Sequence, residues 1–241
     1  MNSGNNLLFY SILSGLLAGI FWVIGDILIV GFSGDDQEKI KAFENKGIVD
    51  PPMAAYMLPG SERRLRWGAL IANYAAPLMF FSIISVYQLS AVATAGWRGV
   101  RIAALILMVM GYAYSPLAHA GFYFIGTLSK NLYQEEQAGR GISQGQAKLL
   151  NNYRKTTHFS WLPAIALTGI SWFLFALLIA FGQSELPRFF LLLTPFTLSP
   201  LWIVLVRKFK PFHPYLNGAA FNLGMSSYYL ILLIWYFLTV K

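Results

Sequence analysis

Six stretches of this 241-residue chain are apolar over lengths that can cross a bilayer, and they constrain the fold more than any other feature of the sequence. They cover about residues 7–32, 67–92, 100–128, 159–181, 189–206 and 216–240, the fifth being the shortest. A span needs about 20 apolar residues at a rise of about 1.5 Å each. In hydrocarbon every backbone N–H and C=O must be satisfied by protein, so continuous apolar runs read as α-helices. A membrane barrel would show ten-residue alternation instead. The expected fold class is all-α: a polytopic membrane protein, a bundle of about six transmembrane helices.

Hydrophobic residues make up 56% of the chain and charged residues 12%, about half the charge of a soluble domain. The mean hydropathy is +0.54. A soluble enzyme, a disordered chain and a nucleic-acid-binding domain are all poor fits. The net charge of +8 would suggest nucleic acid if it were spread over a surface, but it has a location. Lys39, Lys41, Lys46, Arg63, Arg64 and Arg66 follow the first span; Lys130, Arg140, Lys148, Arg154 and Lys155 follow the third; Arg207, Lys208 and Lys210 follow the fifth. These are 14 of the 18 Lys and Arg residues, leaving Arg98, Arg101, Arg188 and Lys241 opposite. Basic residues are retained on the cytoplasmic side. Loops 33–66, 129–158 and 207–215 are therefore expected inside and both termini outside, in a cell inner (plasma) membrane.

The basic loops are also the long ones, so residues 1–241 read as a single membrane domain with a cytoplasmic cap. Within the cap, Asp35 to Lys46 suits a short surface helix, Pro51 and Pro52 follow, and a turn is expected at Pro59 and Gly60. Ser61 suits an N-cap for the second span, with Glu62 in its first turn. Residues 129–158 are polar and carry Gly139, Gly141 and Gly145 as breakers. Cysteine is absent, which removes disulfides and thiol redox chemistry. The first basic residue is Lys39 and the first apolar run exceeds a signal-peptide core, so no cleavable signal is expected.

An ionisable residue inside a span is costly and is a functional hypothesis by default. Away from the span ends there are two, Asp26 and His119. Asp26 shares a helical face with Ser11, Gly15, Gly19 and Trp22. Gly15 and Gly19 have the small-x-x-x-small spacing that lets helices approach closely, so pairing of two copies through them is one expectation. His119 shares its face with Tyr112, Ser115, Tyr123 and Gly126, and Pro116 lies in the same helix, where it removes a backbone donor. Asp26, Asn73, His119 and Asn222, with Thr168, Thr197 and Ser199, fall at about 10–15 Å from the cytoplasmic ends of their spans. That common depth suggests a polar cavity in the cytoplasmic half. Its expected ligand-binding residues are Asp26, Asn73, Tyr112, Ser115, His119, Tyr123, His158 and Asn222. Arg63, Arg64, Arg66 and His213 are expected at the mouth, facing an anion or lipid headgroup.

No His-x-x-x-His pair is present, so neither a metal nor any other cofactor is expected. Gly25 and Asp26, followed by Ser61, Glu62, Arg63, Arg64, Leu65, Arg66, Trp67, Gly68, Ala69 and Leu70, resemble the start of an uncharacterised family of multi-span bacterial inner-membrane proteins. The resemblance covers mainly the first two spans and implies no activity. The residues themselves suggest a protein that binds or transports a small or lipid-like ligand, with Asp26 and His119 coupling it to protons. Two other readings stand beside it: acid–base catalysis on a lipid by the same pair, and a helical subunit acting by partner binding. Membrane lipid is an expected partner in each; nucleic acid is not.

Overall fold

The computed structural model describes residues 3–32, 36–209, 211–216 and 218–239. Asp35, Lys210 and Lys241 lie outside the described residues, as do Asn217 and Val240 of the last expected span. The elements are α1 (Ser3–Val30), α2 (Gln37–Lys41), α3 (Pro51–Tyr56), α4 (Glu62–Tyr74), α5 (Ala76–Leu89), α6 (Arg98–Gln137), α7 (Gln144–Ala180), α8 (Pro195–Lys208), α9 (His213–Leu216) and α10 (Ala220–Thr239). The described residues form no strand.

Among the described residues, five helical segments are long and apolar enough to cross a membrane: Asn6–Val30, Glu62–Leu89, Ala95–Gln137, Gln144–Ala180 and Ala220–Thr239. The expected span at 189–206 is divided instead. A 3-10 turn occupies Arg188–Leu193, and α8 then starts on Pro195 and runs for 14 residues. That length rises about 21 Å, short of a hydrocarbon core of about 30 Å.

The helix of the second expected span starts at Glu62, where Ser61 Oγ accepts the backbone N–H of Arg64 at 3.2 Å and caps α4 as the sequence suggests. It bends at Ala75, where Pro77 cannot donate to the carbonyl four residues back. The loop expected over 129–158 is mostly helix. Gln, Glu, Lys and Leu are good helix formers, so α6 and α7 continue past their apolar parts. Only residues 138–143 turn, with Gly139 and Gly141 at φ near +72° and +69°. Gly145 lies inside α7, behind a capping box made by Ser143 and Gln146.

Small residues set the helix seams. A Cβ on Gly15 would lie 2.4 Å from the Tyr229 ring, and one on Gly19 would lie 2.7 Å from Ser226 Oγ. The close approach expected of these glycines is thus made within the chain, by α10 running antiparallel to α1. Gly224 brings α10 onto α8 at Ser199, and Gly111 and Gly121 bring α6 onto α7 at Thr168 and Thr157. The main core lies between these helices and includes Trp22, Met79, Tyr112, Trp172, Tyr228 and Tyr229.

The end of α1, the start of α4, the turn between α6 and α7 and the start of α10 share one end of the bundle, which carries most of the basic residues. A second apolar cluster lies there, with Phe43, Met57, Leu65, Ile125 and Leu150. The segment holding α2 and α3 is therefore a folded cap. It is latched by Lys46 to Glu136 at 3.0 Å and by Arg154 to Asp50 at 3.1 Å. The Asn151 amide clips it further, donating to the Gly47 carbonyl at 2.7 Å and accepting from Val49 N at 2.9 Å. Asp36 caps α2, and its hydrogen bond with the Lys39 side chain holds its carboxyl below the ordinary range.

Candidate functional site

Three helices bring the site together. Asp26 stands four residues before the end of α1, His119 lies midway along α6, and Asn222 lies in the first turn of α10. Asn222 Nδ2 donates to Asp26 Oδ2 at 2.7 Å. The other carboxylate oxygen, Oδ1, is 3.5 Å from His119 Nε2, longer than a normal hydrogen bond. The far side of the imidazole is anchored: His119 Nδ1 lies 2.9 Å from the Ser115 carbonyl one turn earlier. A carbonyl can only accept, so Nδ1 carries a proton and Nε2 is the ring atom presented to Asp26. The Asp26 and His119 side chains are 15% and 11% exposed, so the pair is largely but not fully desolvated.

One wall is aromatic. Trp22, one turn before Asp26 on α1, stacks on the His119 ring at 6.2 Å and 29°. Its Nε1 donates to the Ala72 carbonyl of α4 at 3.0 Å, which fixes the indole. Its other side meets Tyr112 edge-on at 5.8 Å. Glycine lets these helices close around the carboxylate. Gly25 sits against Gly68 and Ala72 of α4, and a Cβ on Gly218 would come 3.9 Å from the Asp26 Cβ.

The remaining expected site residues take different places. The Ser115 hydroxyl faces the Gly111 carbonyl at 3.5 Å, and only its backbone serves the site. Asn73 is next to Ala72, and its Oδ1 is buried with no hydrogen-bond partner among the described residues. Tyr123 packs on the cap-side apolar cluster, beside Phe124. His158 is exposed on α7, its ring 6.3 Å from that of Trp161. His213 is half-buried in α9, which lies over the end of α1 where the Tyr215 carbonyl meets Gly31. The hydroxyls at similar depth mostly bond to nearby carbonyls: Ser199 to Phe221 at 2.9 Å and Thr197 to Thr194 at 2.9 Å. They bind helices rather than line a site.

The three arginines also separate. Arg63 and Arg66 are exposed on α4. Arg64 turns inward, donates to the Ile27 and Gly31 carbonyls at 2.6 and 2.5 Å, and lies over the Phe32 ring at 4.6 Å. A cation there satisfies the orphan carbonyls and the negative dipole end of α1, so Arg64 is a helix cap. Lys130 acts in the same way on the Leu58 carbonyl, at 2.7 Å.

A group of which the sequence reading named only Tyr112 lies deeper, among Tyr112, Trp172, Tyr228 and Tyr229. The adjacent tyrosines of α10, following Ser226 and Ser227, are its visible trace in the sequence. Among the described residues, no three His, Asp or Glu side chains gather at one point.

No curated protein and no solved structure matches the chain. One family does, over residues 1–239, and it is described as a family of unknown function. The loosely matching start of the chain therefore extends to nearly its whole length, and this protein belongs to that family, DUF6796.

Proposed function

We propose that this is an integral membrane protein that binds a small or lipid-like ligand at Asp26, His119 and Asn222, from the basic, cytoplasmic end, and that ligand binding is coupled to protonation of the Asp26–His119 pair. One observation carries the reading. Three polar side chains from α1, α6 and α10 converge inside apolar helices, yet Asp26 Oδ1 and His119 Nε2 stop 3.5 Å apart. Evolution tolerates buried ionisable groups in membranes chiefly where they act. A pair made only for structure would close to about 2.8 Å; here both atoms keep capacity for a third group. Asp26 favours a ligand group that donates a hydrogen bond or carries positive charge, and Trp22 supplies an apolar wall. Transport of the ligand is the extension of this reading, and exchange of a proton between Asp26 and His119 would couple it.

Native mass spectrometry of the protein released from its own membranes in mild detergent tests this. Wild type is expected to retain a non-covalent adduct that Asp26→Asn and His119→Gln lose, while Ser90→Ala, at the opposite end, keeps it. Equal retention by all four proteins would remove the pair from the binding site.

The anchored imidazole also favours a second reading, acid–base chemistry on a lipid, because Nδ1 is committed and Nε2 is free to exchange a proton. A lipid extract incubated with wild type would then yield a product that either substitution abolishes.

A further inference from the structure

We infer that the exposed face of α7 at the basic end of the bundle is a docking surface for an anionic phospholipid, with the phosphate at Lys148 and Lys155 and an acyl chain along Phe159, Leu162 and Ala166. At about 3.6 residues per turn, positions 148, 152, 155, 159, 162 and 166 stay within about 40° of one line down the helix. All six residues are exposed. The line changes character once. Lys148, Asn152 and Lys155 make it polar and basic, and it is apolar from Phe159, one turn or about 6 Å further on. Phe159 and Leu162 are 66% and 51% exposed. Tyr153 and Trp161 are exposed beside the change, and these residue types gather where a bilayer meets water.

The charge on this face is not neutralised by the protein. The sequence holds no Asp or Glu between Glu136 and Glu185. The first turn of α7 carries no acid, although one there would favour the helix dipole. The acids around this end of α6 and α7 serve other cations: Glu136 pairs with Lys46 at 3.0 Å, Asp50 with Arg154 at 3.1 Å, and Glu135 with Arg140. Asn151 and Arg154 bond to the cap. Lys148 and Lys155 have no ion-pair partner among the described residues. On α4, by contrast, the exposed Arg66 follows Glu62 by four residues, so its own helix offers it an acid.

The line defines the partner's chemistry. One molecule must be anionic over its first part and apolar over its second. A nucleic acid or an acidic peptide meets only the first condition, and a neutral lipid only the second. A phospholipid with net negative charge meets both, since a lysine ammonium is a point donor to phosphate and anionic headgroups attract basic residues at the cytoplasmic surface. The inference rests on the chain spanning a membrane. It does not rest on the function proposed for Asp26, His119 and Asn222, which stand on other helices.

The test uses the full-length protein, stripped of lipid in detergent and titrated with phosphatidylglycerol or with phosphatidylcholine of the same acyl chains. Native mass spectrometry counts the lipid bound. Wild type is expected to prefer phosphatidylglycerol by about 30-fold, two lysines at about fivefold each. Lys148→Gln/Lys155→Gln should bring the two lipids to equal affinity and leave the lipid-free Tm unchanged, because glutamine suits an exposed helix as well as lysine does. Lys41→Gln/Lys208→Gln removes the same charge from two other exposed positions and should keep the preference. Phe159→Ala should weaken both lipids alike. No preference in wild type, a preference that survives the loss of Lys148 and Lys155, an equal loss in the Lys41/Lys208 control, or unchanged binding in Phe159→Ala would each overturn the inference. So would displacement of phosphatidylglycerol by an equal concentration of glycerol phosphate, since the acyl chain would then contribute nothing.

Discussion

Gly224→Ala is expected to destabilise the bundle by about 3 kcal/mol or more, seen as loss of the folded fraction in a detergent-solubilised thermal scan. The added Cβ would lie 2.5 Å from the backbone nitrogen of Ser199 and 2.6 Å from its Cα. Those are main-chain atoms of α8, which cannot rotate away as a side chain would. Relief requires α8 to separate from α10, which also breaks the bond from Ser199 Oγ to the Phe221 carbonyl. Gly169→Ala on α7 is the matched control, since a Cβ there meets nothing within 4 Å. It should be neutral or stabilise by up to about 1 kcal/mol, because alanine restricts the unfolded backbone more than glycine does. Equal losses at the two positions would mean that the α8–α10 contact is not close.

The second large effect is expected at the site. Asp26→Ala removes the acceptor for Asn222 and the counter-group of His119 together. Breaking a buried polar pair by deleting one member costs about 3–5 kcal/mol; the lower end applies, because both side chains keep a little exposure. Asp26→Asn keeps the volume and a carbonyl oxygen for Asn222, so its cost should be about 1 kcal/mol. Denaturation midpoints of the two variants check the difference. Equal, small losses would mean that the carboxylate is solvated in the folded protein and is not held by its neighbours. The mildness expected of Asp26→Asn is what allows it to separate lost binding from lost fold.

The helical class was legible because continuous apolar runs of that length fit helices and not alternating strands. Helix ends were not, because hydropathy marks where the apolar surface stops rather than where the helix does. The polar extensions of α6 and α7 are held by helix-forming residues and the Ser143 cap, neither of which changes the apolar pattern. The run at 189–206 hid a break for the converse reason: Pro187 and Pro195 divide it without making it polar.

That Asp26, His119 and Asn222, which the structure joins, share a level was legible as well. A helix rises by a constant amount per residue, so counting from the basic ends placed Asp26, His119 and Asn222 at one level. Which way each side chain points was not legible. The azimuth depends on which helix packs where, and so Tyr123 and His158 were grouped with residues that the structure places elsewhere. Arg64 shows the same limit for charge. Three arginines within four positions share a sign, and only the fold shows that one of them closes the end of α1.

The central claim is that Asp26, His119 and Asn222 hold a ligand, and the most direct measurement is a high-resolution density map of the wild-type protein extracted from its own membrane into lipid nanodiscs. The expected result is non-protein density within hydrogen-bonding distance of Asp26 Oδ1 and His119 Nε2, weakened or absent in Asp26→Asn. The contradicting result is a wild-type map in which Nε2 closes directly onto Oδ1 with no density between them.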